Sequence, residues 1–591
     1  MFHSKLLVMK KIKSIISVLM TLFLFSSCSD FLEVKPKGVL SEEQVSKPEL
    51  IDNFVVAAYA SMPGLGYGTT HAPWIQSVRS DDAYKGGGGL GDQAPWYEME
   101  IFTAVTSNIG NNDGPWYLGY VGISRCNTAI RLLNEIDPAA YEQRDSRIAE
   151  MKFLRSWIYL GMKLRWKYIP FIDETVPNDA VVVEGISNRP DSMKNDLGLW
   201  DRIIKDFEDA AKVLTETQND KGRPTRYAAH AFAAKALLFR AYEQNDQHKV
   251  VNINKQTLQR SLDHINTIMT KDKSQFDLEP DFANNFLPEF DNATKESLWE
   301  IQYSIDDGTT DGRVNRGDEL NAPWWSPYFS CCDFHKVSYT MINAFKTDKT
   351  GVPDFDNYNQ TEFKGDKYKD YFKQHSFDPR LGHTAAIPGY PWKYNNAILY
   401  QESGSRAPFQ YGFFNSMKEQ VDPNCNCLFK PFYIYNSMNK KEIRYAEVLL
   451  WKAEILMEQG QLQESLNLVN RIRARAATSL NRLKKADGTL WMDYKIEEYK
   501  PGVNFTLNKE NLKKAIIWEN RLELANEGRR FFDLLRWGLL SETMNAFINK
   551  EKGRFDWYNQ GRFVAGRDEY LPIPQQQMNW SKGSYKQNPG Y

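Results

Sequence analysis

The sequence predicts a mainly α-helical fold: a scaffold of tetratricopeptide-like helical repeats together with a long irregular portion rich in loops. Apolar residues recur at helical spacing in segments before about position 270 and again from about 440 to 540. Segment lengths suit helical hairpins of about 34 residues. The clearest runs from Ala446 to Ala476, where Leu449, Leu450 and Ala453 precede a turn at Gln459-Gly460-Gln461 and Leu466, Val469 and Ile472 follow it. Between the two helical portions, about Pro280 to Pro431 lacks this period and is dense in Trp, Tyr, Asn, Asp, Pro and Gly.

Taken in order, the first helix is expected from Pro48, a residue suited to a first helical turn. Ile51, Phe54, Val55, Ala58 and Tyr59 give it an apolar stripe. Ser61 to Pro115 reads as irregular, and a structureless run of that length is uncommon and usually functional. Its glycine run, Gly86 to Gly89, is no nucleotide fingerprint: no GxGxxG follows a strand and opens a helix, and no GK[ST] is present. Helices are then expected at Tyr117 to Ile136, Ile148 to Tyr168, Trp200 to Leu214, Thr225 to Tyr242 and Leu258 to Met269. The second of these stops before Pro170, and the alanines of the fourth suit close helix packing. Ser297 to Tyr303 reads as a short strand. Glu442 to Glu458 and Leu462 to Ala476 form the hairpin described above. Lys484 to Phe505 and the C-terminal tail are expected to join the loop-rich portion. Asn511 to Trp537 reads as one long helix, with Asp533 placed to pair with Arg529, Arg530 and Arg536 and expected to be buried against arginine.

Residues 1–27 have the form of an export signal: Lys5, Lys10, Lys11 and Lys13, an apolar run from Ile15 to Phe25, then Ser26 and Ser27. The run is too short to span a bilayer. Cys28 directly after it fits lipoprotein processing, with acylation at its sulfur and stable anchoring by more than one chain. Residues 28–45 read as a tether holding the body, 46–591, off the membrane.

Charge and motifs exclude several classes. The chain of 591 residues carries a formal net charge of −1. Without residues 1–27, 70 basic face 75 acidic side chains, a net −5. That is no electrostatic footprint for nucleic acid. Cys126, Cys331, Cys332, Cys425 and Cys427 form no CxxC pair and His is scarce at eight, so no zinc site is expected. Asp306, Asp307 and Asp311 lack the spacing of a calcium loop. There is no HExxH and no GxSxG. No catalytic residue, metal or cofactor is expected. Disulfide connectivity is not readable from the sequence.

Four segments carry a family resemblance. EGRRFFDLLRWG (Glu527 to Gly538), LPIP (Leu571 to Pro574), QNPGY (Gln587 to Tyr591) and, after Cys28, SDFLEVKP (Ser29 to Pro36) occur in family order. Together they resemble the SusD-like (RagB/SusD) family. The resemblance implies a single domain, with the loop-rich half packed on the helical repeats. It also implies a nutrient-capturing lipoprotein on the outside of the outer membrane, holding mostly glycans over a TonB-dependent, SusC-like transporter.

Glycans are recognised by aromatic rings lying on the C–H face of a sugar and by planar polar groups bonding its hydroxyls. Two loop clusters offer both. One presents Asp81, Asp82, Tyr84, Asp92, Trp96 and Tyr97; the other presents Trp324, Trp325, Tyr328 and Asp333. The resemblance implies a site built from an N-terminal loop and a mid-chain loop, favouring Asp82, Trp96 and Trp324 or Trp325. Arg380 in FDPRLGHTAAIPG either binds ligand or braces the loops, and Trp392 and Tyr394 follow closely. The competing expectation for any such Trp is burial in the irregular half, strongest for Trp74, Trp116 and Trp299. The function expected is non-catalytic oligosaccharide binding. Alternatives are the same fold with peptide or other cargo, since helical repeats form peptide grooves, and a surface glycosidase working through paired carboxylates.

Overall fold

A computed structural model describes residues 47–62, 73–176, 185–190, 196–270, 275–309 and 312–591. The expected signal, Cys28 and tether lie outside the described residues, as does the Trp74 side chain. Among the described residues no helix is long and apolar enough to cross a membrane.

The first helical run comprises α1 (Pro48–Tyr59), α2 (Asp113–Glu135), α3 (Arg144–Trp166), α4 (Leu197–Val213), α5 (Arg226–Ala241) and α6 (Lys255–Met269). Each packs on its sequence neighbour. The alanines of α5 explain its position: Ala228, Ala229, Ala231, Ala233, Ala234 and Ala236 are all fully buried, and their small side chains let it lie close between α4 and α6. Side-chain caps fix where helices begin. The Thr225 hydroxyl accepts from the Ala228 amide at 3.2 Å, and Asn254 accepts from the Thr257 amide at 3.0 Å. The run continues through α7 (Tyr445–Glu458), which packs on α6, to α8 (Leu462–Thr478) and α9 (Lys509–Glu523).

The expected single helix from Asn511 to Trp537 is two. After α9 the chain turns through Asn526 and Gly528, both at positive φ (59° and 74°), and restarts as α10 (Arg530–Arg536) before α11 (Leu540–Lys552). The break aims successive arginines at different partners. Arg529 reaches Glu447 at 3.3 Å, Arg530 reaches Asp81 at 2.9 Å, and Arg536 bonds Asp533 at 3.2 Å. Asp533 is buried against arginine as expected, its carboxyl pushed upward by that burial.

The stretch expected to be irregular after Ser61 contains two short helices, Pro73–Val78 and Ala94–Ile101, and strand β1 (Ala83–Gly86). The predicted strand after Ser297 is β2 (Ser297–Ile301). Later strands are β3 (Phe334–Val337), β4 (Ala385–Ala386), β5 (Asn415–Ser416) and β6 (Lys440–Arg444). A four-stranded sheet has the order β1-β3-β5-β4. Its β1–β3 pair is antiparallel, with Ala83 opposite Val337 and Gly86 opposite Phe334. Strand β6 pairs with β2 and leads directly into α7, tying the loop-rich half to the repeats.

A buried ion network sits at that junction. Arg444 bonds Glu296 at 2.6 Å, Glu523 at 2.9 Å and Glu527 at 2.8 Å. Arg473 bonds Glu519 at 3.1 Å, Arg475 bonds Glu296 at 2.8 Å, and Lys418 bonds Glu527 at 2.7 Å. With Arg380 and Asp378 the network has five cations and five carboxylates among the described residues, so its formal charge cancels. Burying isolated charges costs several kcal/mol each, and only complete pairing of this kind offsets it.

Candidate glycan-binding face

The two predicted loop clusters meet through β1 and β3. The Gly87 amide donates to the Asp333 carbonyl at 2.8 Å, extending the strand pair into the glycine run. Close approach is what those glycines allow. A Cβ on Gly86 would lie 2.3 Å from the Asp333 carbonyl oxygen, and one on Gly88 would lie 2.6 Å from Nη2 of Arg406. At Gly86 the clash is with backbone and no larger residue permits the contact; at Gly88 a larger residue would have to displace the Arg406 side chain.

Beneath the contact is a buried polar brace. The Lys336 ammonium bonds Asp333 at 2.8 Å, Asn415 at 2.6 Å and Ser405 at 3.1 Å, and burial lowers its pKa. The second oxygen of Asp333 accepts from the Arg406 amide at 2.7 Å. The Lys85 ammonium holds the glycine run from inside, donating to the Gly89 carbonyl at 3.0 Å and to the Asp92 carbonyl. Burial brings it down to about 8.

Above the brace stands Trp324, 49% exposed. Its amide is fixed by the Gly404 carbonyl at 3.0 Å. The Arg406 guanidinium lies 5.0 Å from its ring centroid and is itself held by Asp92 at 3.0 Å and by the Cys332 carbonyl at 3.2 Å. Phe409, 87% exposed, follows Arg406 on the short helix Pro408–Tyr411. That helix borders the glycine run: a Cβ on Gly89 would lie 3.3 Å from the Gln410 side-chain oxygen. An exposed indole, a stacked guanidinium and a carboxylate are thus fixed side by side by rigid backbone contacts. An apolar ring face with planar donors and acceptors beside it can hold a sugar ring.

Most other predicted contacts are structural. Asp81 is buried and bonded by Arg521 at 2.8 Å and Arg530 at 2.9 Å. Burial pulls its carboxyl up, but the two guanidinium groups outweigh that and hold it low. Asp82, also buried, is pushed up by burial and by Asp81. Trp96 is fully buried at the start of its helix. Arg380 is fully buried and bonds Asp378 at 2.7 Å, Glu523 at 3.2 Å and Glu519, so it braces the junction and exposes no surface to solvent. Trp392 is fully buried and donates to the Val421 carbonyl at 3.0 Å. Trp325 is buried beside it, ring centroids 5.8 Å apart, in a small core with Tyr400 and Phe329. Tyr328 is half-buried, 4.8 Å from Trp325, at the edge of the Trp324 loop. Trp116 and Trp299 are buried as expected.

Arg406 and Phe409 were not singled out from the sequence; their one local signal is an Arg and a Phe in the Gly-, Ser- and Pro-containing run ESGSRAPF. Cysteines Cys331–Cys332 and Cys425–Cys427 pair as disulfides, and Cys126 is a buried free thiol raised to about 12 by desolvation.

A sequence model described as the SusD family matches residues 295–591. The chain belongs to the SusD family. A second model, described as starch-binding and associating with the outer membrane, matches residues 30–238. Among SusD-like relatives, SusD-like protein P2 of Formosa agariphila is 25% identical, with 99% of this chain and all of the relative covered. A SusD-like protein of Bacteroides ovatus is 22% identical over 90% of this chain and 84% of its own length. Solved structures share the SusD fold. A laminarin-binding SusD-like protein has a TM-score of 0.65 at 19% identity, covering 92% of this chain and 99% of that one. Surface glycan-binding protein A of Bacteroides thetaiotaomicron, solved in complex with laminarihexaose, has a TM-score of 0.61 at 19% identity, covering 91% and 99%.

Proposed function

We propose that this SusD-family chain is a non-catalytic oligosaccharide-binding lipoprotein. On this reading it is anchored in the outer membrane through acylated Cys28, faces the cell exterior and passes its ligand to a SusC-like, TonB-dependent transporter. Residues 46–591 act as one domain, a view supported by the ion network that joins the repeats to the loop-rich half. The observation that carries the reading is Trp324, exposed and stacked by Arg406 where the two loops converge. A large exposed indole held rigidly among polar groups suits a binding site better than a core. The starch-binding description of the N-terminal family model and the laminarin ligands of two structural relatives support a glycan as cargo. Binding is favoured over hydrolysis by the state of Asp92. Glycosidases need two free carboxylates flanking the bond, whereas Asp92 is engaged by Arg406 at 3.0 Å and by the Gly88 amide at 2.8 Å.

In the binding mode that follows, a pyranose C–H face lies on the open side of the Trp324 ring and Arg406 donates to ring hydroxyls. Isothermal calorimetry against a panel of laminari-, malto-, xylo- and manno-oligosaccharides tests it. At least one series binds, and Trp324→Ala lowers its affinity by about tenfold or more, equivalent to about 1.4 kcal/mol. Wild-type binding to peptides but to no glycan, or full affinity in Trp324→Ala, contradicts the reading. Co-purification with a SusC-like barrel from detergent-solubilised membranes tests the partner.

A further inference from the structure

A cleft adjoins the turn that fixes Trp324. It has a volume of about 550 Å³ and opens between the short helix Tyr368–Gln374, the turn at 388–390 and residues 401–403. Ligand pockets span roughly 300–1,000 Å³. One wall is aromatic: the half-buried Tyr390 ring is edge-on to Phe372 at 6.2 Å and tilted against Trp491 at 6.0 Å. The rim is polar, with Lys369, Lys373 and Ser403 exposed. Lys369 is engaged by Glu402 at 2.8 Å, and Tyr368 donates to the same carboxylate at 2.5 Å. The rim thus offers the Ser403 hydroxyl and the Lys369 and Lys373 ammonium groups beside an aromatic wall, a ring with polar groups next to it as on the Trp324 face.

The two surfaces share one turn. Its backbone folds on itself, the Gly404 amide donating to the Gln401 carbonyl at 2.9 Å and the Ser405 amide to the Glu402 carbonyl at 3.1 Å. The Gly404 carbonyl takes the Trp324 amide, while Gln401, Glu402 and Ser403 line the cleft. Even fully extended, the backbone from Gln401 to Arg406 would span only about 18 Å, and the folded turn is shorter.

We propose that this cleft is a second sugar subsite, resting on the reading of Trp324 above, and that it takes the far end of an oligosaccharide whose first units stack on Trp324. The chain therefore selects glycans by length. Calorimetry with trisaccharide to octasaccharide members of the same four series tests this on wild type, Tyr390→Ala, Ser403→Arg and Trp324→Ala. For the series that binds, wild-type affinity rises with length. Tyr390→Ala and Ser403→Arg each weaken the octasaccharide by about tenfold and change the trisaccharide by less than about twofold. Trp324→Ala weakens every length. An octasaccharide affinity untouched in both cleft variants, or an equal loss on the trisaccharide, overturns the second subsite and leaves the Trp324 face standing. No glycan binding by wild type overturns both. Ser403 is exposed, so its substitution reads the cleft even if Tyr390→Ala fails to fold.

Discussion

Trp324 is exposed because its neighbour is not. Trp325 turns into the small core with Trp392 and Tyr400; the Trp324 amide is pinned by the Gly404 carbonyl and the Trp325 amide by the Phe329 carbonyl, so of two consecutive indoles one is exposed and the other buried. Arg406 matters for its plane as well as its charge. A lysine there keeps the charge but loses the stacked fork, so Arg406→Lys is expected to weaken oligosaccharide binding by about three- to tenfold in calorimetry, each tenfold being about 1.4 kcal/mol. Arg380 behaves in the opposite way. Removing it strands Asp378 in the interior and takes one guanidinium each from Glu519, still held by Arg473, and from Glu523, still held by Arg444 and Arg475. Arg380→Ala should cost about 3–5 kcal/mol in denaturant unfolding, the scale for breaking a buried pair; an unchanged midpoint would show that the network does not brace the halves. At this scale the sequence was a poor guide to function. Aspartate and tryptophan in a Gly-rich loop look available, and only the fold shows that Asp81 meets Arg521, 440 positions away.

The helices were the legible elements, because an amphipathic period reports burial directly. The break between α9 and α10 escaped that logic. Asn526 and Gly528 carry the turn at positive φ, and the break lets Glu523 and Glu527 face Arg444 while Arg530 faces Asp81. Strand β4 and strand β5 have two residues each, too short to show alternation, and β1 finds its partner about 250 positions downstream. The glycine run is the element that makes the face, and it can be tested alone. Gly88 is exposed, but its Cβ position collides with Arg406. Gly88→Leu should displace that guanidinium and lower glycan affinity by about tenfold, with circular dichroism and melting temperature close to wild type. Full affinity in this variant would detach the glycine run from binding.

Across the whole molecule, the ten-group network sets how stability responds to acid. Glu523 and Glu527 are subject to burial that raises their pKa values, but Arg475, Arg444 and Lys418 outweigh it and hold both below the ordinary glutamate value. A carboxylate with a depressed folded value contributes stability that is complete above the unfolded value of about 4.3 and is lost as pH falls toward the folded one. Melting temperature should therefore drop steeply below about pH 4, and Glu523→Gln should melt lower than wild type at neutral pH with a shallower acid limb. Parallel acid limbs in the two proteins would contradict this. Glu100 works in the opposite sense: burial raises it to about 8, so its contribution declines as pH rises from the unfolded value through that range. The architecture was readable from helical spacing, and the family resemblance implied the meeting of an N-terminal with a mid-chain loop. On that face Trp324 and Asp92 stood out in the sequence while Arg406 and Phe409 did not, since exposure is a property of the assembled chain. The most direct measurement is a crystal structure of the protein with the oligosaccharide that calorimetry selects. A pyranose ring lying on the open face of Trp324, with a hydroxyl within hydrogen-bond reach of Arg406, is the predicted result; a sugar seated elsewhere with Trp324 bare would contradict it.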